Sequence, residues 1–219
     1  MIVYKLTNQD CCTRGDTLWT PGKWRKTSGV GDLCGPGWLH FYSDPLVAVL
    51  LNPIHGAIAS PRLWEAEAGG EMKADHGLKA GSTRLRVVRE IPLPEITTEQ
   101  RVRFAICCAW EVCHDVAWRS WAKSWLSGAG AGRSEPAANA AADAAWAAAK
   151  AAAARASWAA ANAASAAWAA TAAAWAAWAA ESEAWAAESA ARAAEAASNA
   201  AASPLDLPAL ARRAMEVTT

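Results

Sequence analysis

Apolar and polar positions alternate with period two in several short stretches of the first ninety residues. Ile2–Leu6 sets Ile2, Tyr4 and Leu6 against Val3, Lys5 and Thr7, and Trp38–Tyr42 sets Leu39 and Phe41 against Trp38, His40 and Tyr42. Leu63–Ala68 sets Trp64, Ala66 and Ala68 against Leu63, Glu65 and Glu67, while Ser82–Ile91 carries Leu85, Val87 and Ile91 opposite Arg84, Arg86 and Glu90. Successive strand side chains point to opposite faces, so each stretch predicts a half-buried strand. Between them, Asp44-Pro45 predicts a helix start, because Asp44 caps free N–H groups and Pro45 sits where no hydrogen bond is lost. That helix is expected over Leu46–Leu51, ended by Asn52-Pro53. Thr97-Thr98-Glu99-Gln100 is a capping box opening a helix expected over 98–117, after which Trp118, Trp121 and Trp125 form a core-facing stripe at helical spacing.

From Ala137 to Ala202 the pattern changes: 43 of 66 residues are alanine. All 14 glycines lie at or before Gly132, and neither glycine nor proline occurs between Pro136 and Pro204. Alanine is the strongest helix former, and 66 such residues give about 99 Å of helix at ~1.5 Å per residue. The expected architecture is therefore α+β: a small mixed-sheet domain over 1–126, a Gly-rich linker over 127–136, one long alanine-rich helix over 137–202, and a tail over 203–219 with a short helix at Leu207–Met215.

Charge adds a restriction. With 21 basic and 21 acidic side chains the net charge is zero, which argues against nucleic acid or an anionic membrane as partner. The uncharged run Ala156–Ala180 is long enough to span a bilayer but lacks Leu, Ile, Val and Phe, so no membrane span is expected. Two of the cysteine groups are adjacent pairs (Cys11-Cys12 and Cys107-Cys108), unlike a disulfide framework, and the first residues lack a secretory leader; a cytoplasmic location is expected.

Candidate chemistry concentrates in the sheet region. Trp38, His40 and Tyr42 share one strand face and are the candidate ligand-binding residues. Cys107, Cys108, Cys113 and His114 lack zinc-finger spacing and are read as buried apolar cysteines, so no metal is expected. The segment Leu33-Cys34-Gly35-Pro36-Gly37-Trp38-Leu39-His40-Phe41-Tyr42-Ser43-Asp44-Pro45-Leu46, with Trp64-Glu65-Ala66-Glu67, Gly70-Glu71 and Leu78-Lys79-Ala80-Gly81-Ser82-Thr83, resembles a domain-of-unknown-function family of phages, prophages and bacteria, DUF7666, over about residues 1–105. The chain departs from that pattern by inserting Leu39 before His40. The resemblance implies phage or bacterial origin and no known activity. The order of elements is also similar to the ADP-ribosyltransferase layout, which would use NAD and cast His40 or Arg14, Tyr42, and Glu65, Glu67 or Glu71 as catalytic residues. Against that stands the plainer reading of Glu65 and Glu67 as a solvated row paired with Arg84 or Arg86.

In the alanine segment, Trp168, Trp175, Trp178 and Trp185 occupy a and d positions of one heptad register, from which Trp146 and Trp158 depart. A helix exposing such a stripe is expected to self-associate or to pack on another helix. The leading expectation is an interaction or ligand-binding module without cofactor, forming a homo-oligomer through these tryptophans. A small-molecule ligand is a further expected partner, and an NAD-using transferase is the alternative.

Overall fold

The computed structural model describes residues 1–128, 158–178 and 182–216, with the isolated helical positions Ala138, Ala141 and Asp143. Of the expected linker only Ser127 and Gly128 are described, and Trp146 lies outside the described residues. The chain forms two units, Met1–Glu95 and Ile96–Thr219. The division therefore falls before the capping box rather than at residue 126, because the helix that the box opens packs with the alanine helices.

The first unit contains strands β1 (Ile2–Thr7), β2 (Cys12–Thr13), β3 (Thr17–Leu18), β4 (Arg25–Lys26) and β5 (Leu39–Phe41), helix α1 (Pro45–His55), and strands β6 (Arg62–Asp75) and β7 (Lys79–Ile91). The main sheet runs β1-β6-β7-β4, with β5 beside the distal half of β7. Every pairing is antiparallel, so the sheet is not mixed as expected. The long β6–β7 hairpin changes register between Glu65 and Ala66 and again between Gly69 and Met72. Such bulges bend a strand and increase its twist. Its far end pairs with β5, and a backbone bridge then joins the sheet to itself: Tyr4 N donates to Tyr42 O at 2.8 Å and Tyr42 N to Tyr4 O at 2.9 Å. β1, β6, β7 and β5 thus close a ring.

The expected alternation decides what lies inside. Val3, Trp19, Leu39, Phe41, Trp64, Ala66, Ala68, Leu85 and Val87 form one buried cluster. On β1 the interior side is Val3, Lys5 and Thr7, whereas Ile2 is 62% exposed. Thr7 is tolerated there because its hydroxyl accepts from Trp64 Nε1 at 2.9 Å. Helix α1 begins as its sequence dictates, Asp44 Oδ1 accepting from Leu46 N at 2.8 Å, but it runs through Pro53 to His55 before Gly56 and Ala57 donate to Asn52 O.

The second unit is helical: α2 (Thr98–Val112), α3 (Val116–Leu126), α4 (Trp158–Trp178), α5 (Glu183–Ala200) and α6 (Leu207–Met215). Thr97 and Gln100 form the expected capping box. The helix expected over 98–117 breaks at Cys113, whose backbone is extended, and restarts behind Asp115, which caps Trp118 N at 2.8 Å. Cys107, Cys108 and Cys113 are buried and unpaired, and burial raises all three thiols. Trp118, Trp121 and Trp125 face the core as expected.

The alanine segment is not one rod. α4 and α5 are separate helices packed on each other and on α2. Their alanines form the contact layer: Ala169, Ala170, Ala173, Ala174, Ala191 and Ala194 are fully buried. A methyl group lets helix axes approach closely, so many small contacts replace a few large ones. No described helix is long and apolar enough to cross a membrane.

Candidate functional site

His40, Tyr42 and His55 gather where β5 and α1 meet the far end of the β6–β7 hairpin. β5 is too short to hold many neighbours, and Gly81 stands opposite His40. A Cβ at Gly81 would lie 2.6 Å from Leu33 Cδ1 and 3.0 Å from Trp38 Cβ, so the bare glycine lets that loop approach β7 without displacing either side chain. His40 is thereby held half-buried, its Nε2 bonded to Leu33 O. Trp38 and Tyr42, expected to share an accessible face with it, are buried; Trp38 Nε1 donates to Gly31 O at 3.1 Å. Both alternating faces of β5 are therefore largely covered.

Tyr42 stacks on His55 with ring centroids 6.0 Å apart, and its hydroxyl lies 3.3 Å from His55 Nδ1. Burial lowers His55 to about 4, with the Lys79 cation opposing protonation and Asp75 favouring it. Burial likewise lowers His40, aided by Lys5 and Lys79 and opposed by the Leu33 bond, and burial raises the Tyr42 phenol. Both imidazoles are thus neutral at pH 7, and His55 Nδ1 and the Tyr42 hydroxyl share one hydrogen bond. Because His55 binds its proton less readily folded than unfolded, stability is full above pH 6.5 and falls as pH drops toward 4. We expect His55→Gln to flatten that acid limb in thermal melts between pH 7 and pH 4.5; an unchanged slope would place the acid sensitivity elsewhere.

Behind this cluster, inside the ring, sits Lys5. Its Nζ donates to His40 O at 2.7 Å and lies 4.9 Å over the Trp19 ring. Burial lowers the amine to about 8. Alternation alone placed Lys5 on a strand face without saying that this face is the interior. His55 was concealed by the reading that ended α1 at Asn52.

The acidic strand residues point elsewhere. Glu65 accepts from Arg89 Nη2 at 2.8 Å and Glu67 from Arg86 at 2.6 Å; the expected Arg86 pairing is present, and Arg89 takes the place of Arg84. The guanidinium partner holds Glu65 below the usual carboxylate range. Register places Glu65 across from Tyr4, which in turn bridges to Tyr42. Two strand spacings, about 9.6 Å at ~4.8 Å each, separate the Glu65 and Tyr42 backbones. The structure thus puts Tyr42 and Glu65 in one cross-strand row while each carboxylate is held by an arginine. His40, Tyr42, Glu65 and Glu67 share no hydrogen bond with one another among the described contacts. Arg14 lies in the β2–β3 turn, its carbonyl accepting from Thr17 Oγ1 at 3.3 Å, and Glu71 N is held by Thr83 Oγ1 at 3.0 Å. Among the described residues no three His, Cys, Asp or Glu side chains converge as metal ligands.

In the second unit the notable surface is aromatic. Trp168, Trp175, Trp178 and Trp185 are 40–52% exposed. They form two edge-to-face pairs, Trp168 with Trp175 and Trp178 with Trp185, each with centroids 5.7 Å apart. Beside Trp168 lies a shallow groove of about 340 Å³, lined by Ala164, Ser165, Arg192, Glu195, Ala196 and Asn199.

No curated protein and no solved structure matches the chain. Residues 1–99 match the family model described as Domain of unknown function (DUF7666), and this matched stretch is the one that holds His40, Tyr42 and His55.

Proposed function

We propose that the chain is an accessory protein of phage or bacterial origin, working in the cytoplasm as an interaction module that self-associates through Trp168, Trp175, Trp178 and Trp185. The observation that carries this reading is the inversion on the alanine helices, where small side chains are buried and the largest ones remain in water. Four half-exposed indoles leave about 400 Å² of ring surface, taking ~250 Å² as a whole tryptophan, which is within the range of functional patches. Aromatic pairs already in edge-to-face geometry give a partner a preorganised surface, which lowers the entropic cost of association.

Sedimentation velocity on the full chain tests the reading. The wild type is expected to associate, and the variant with all four tryptophans changed to alanine is expected to be monomeric with unchanged far-ultraviolet circular dichroism, since alanine is the better helix former. A monomeric wild type would reject it. Loss of helicity with loss of association would mean that the rings hold the helices rather than a partner.

A further inference from the structure

Among the described side chains of α4, the exposed positions lie on one seam. They are Trp168, Trp175 and Trp178, and half-buried Ala164 lies one turn beyond Trp168 on the same seam. On α5, Trp185, Glu188, Arg192, Glu195 and Asn199 follow one another at spacings of three and four, which makes a second seam. Trp178 touches Trp185, while Ala164 and Trp168 share a groove with Arg192 through Asn199. The helices are therefore antiparallel and their seams adjoin as one strip. One end of that strip carries the Trp178–Trp185 pair, 41% and 52% exposed, and the other a groove whose lining includes Ala164 and Ala196. Ten residues separate Trp168 from Trp178, about 15 Å at ~1.5 Å per residue.

A projection and a recess on one strip are complementary to the same strip turned end for end. We infer that two copies dock antiparallel about a two-fold axis, the Trp178–Trp185 pair of each seated in the Ala164–Ala196 groove of the other; this rests on the self-association reading above. A two-fold pairing satisfies both ends at once and closes, whereas a head-to-tail arrangement would leave a projection and a recess free to polymerise. The area sets the strength of the pairing. The indoles of two copies together bring about 800 Å², below the ~1,200 Å² at the low end of stable interfaces, so the dimer belongs to the weak, reversible size class. Arg192 enters the contact already held by Glu188 Oε1 at 2.7 Å, so no unpaired cation is buried at the centre of the strip.

Complementation in full-length protein separates this arrangement from others. The double variant Trp178→Ala/Trp185→Ala lacks the projection; Ala164→Arg blocks the groove from α4, and Asn199→Arg blocks it from exposed α5, where misfolding is not a concern. Each alone is expected to weaken dimerisation by more than about tenfold with unchanged circular dichroism. A one-to-one mixture of the double variant with Ala164→Arg is expected to regain a heterodimer in sedimentation, because one intact projection meets one intact groove. If dimers survive both groove variants yet vanish in the fourfold tryptophan variant, self-association stands and this seating is wrong. Failure of the mixture to associate also overturns it. A monomeric wild type removes both.

Discussion

Trp118→Ala is expected to cost about 3–5 kcal/mol of stability in the helical unit, the range for deleting a large buried aromatic. Trp118 is completely buried, its Nε1 donates to Ala170 O at 3.0 Å, and it packs against Trp110 and Trp121 at 6.3 and 6.0 Å between centroids. The bond ties α3 to the middle of α4 across 52 residues of chain. Alanine neighbours cannot collapse into the space, since they have no rotamers to move. Trp118→Phe should cost less, because it keeps most of the ring and forfeits the donor, leaving a carbonyl that a helix already satisfies. Urea denaturation followed by circular dichroism at 222 nm would read both. A loss under about 1 kcal/mol for the alanine variant would show that this contact does not hold the helices together.

Lys5 should make the sheet unit more stable in alkali. Its amine titrates at about 8 in the fold against 10.5 when exposed. The unfolded chain therefore binds more protons between these values, and stability rises with pH across that window. Below pH 8 the whole cost of burying the cation is present, roughly 3 kcal/mol. The Trp19 ring and the His40 carbonyl offset part of what the cation loses from water. We expect the wild type to gain stability relative to Lys5→Met between pH 7.5 and pH 10.5, measured as a difference so that other titrating groups cancel. Parallel pH profiles would mean that Lys5 is hydrated in the fold.

The period-two stretches located β1, β5, β6 and β7, because half-buried strands write their faces into the sequence. The hairpin's full length was not legible: the alternation ends at Ala68, yet β6 continues through the irregularity between Gly69 and Met72 to Asp75. β4 is too short to show a period and exists through its pairing with Leu85 and Arg84. The α+β class was legible from period-two strands followed by helical spacing and an alanine run, whereas the fold-back of the alanine segment was not, since an alanine helix is equally content on every face. Of the candidate site, His40 and Tyr42 were found from alternation. Their partner His55 and the interior Lys5 needed the ring closure, a long-range event with no local signature.

That closure also sets an order of events during synthesis. β1 is made first, yet its partners are Arg62–Glu67 on one side and Tyr42 on the other. When the first strand leaves the ribosome it has no edge to join, and it must wait while some sixty residues are added. Through that interval Val3 and the Lys5 stem stay in water, a natural point for a chaperone to bind or for two nascent chains to exchange first strands.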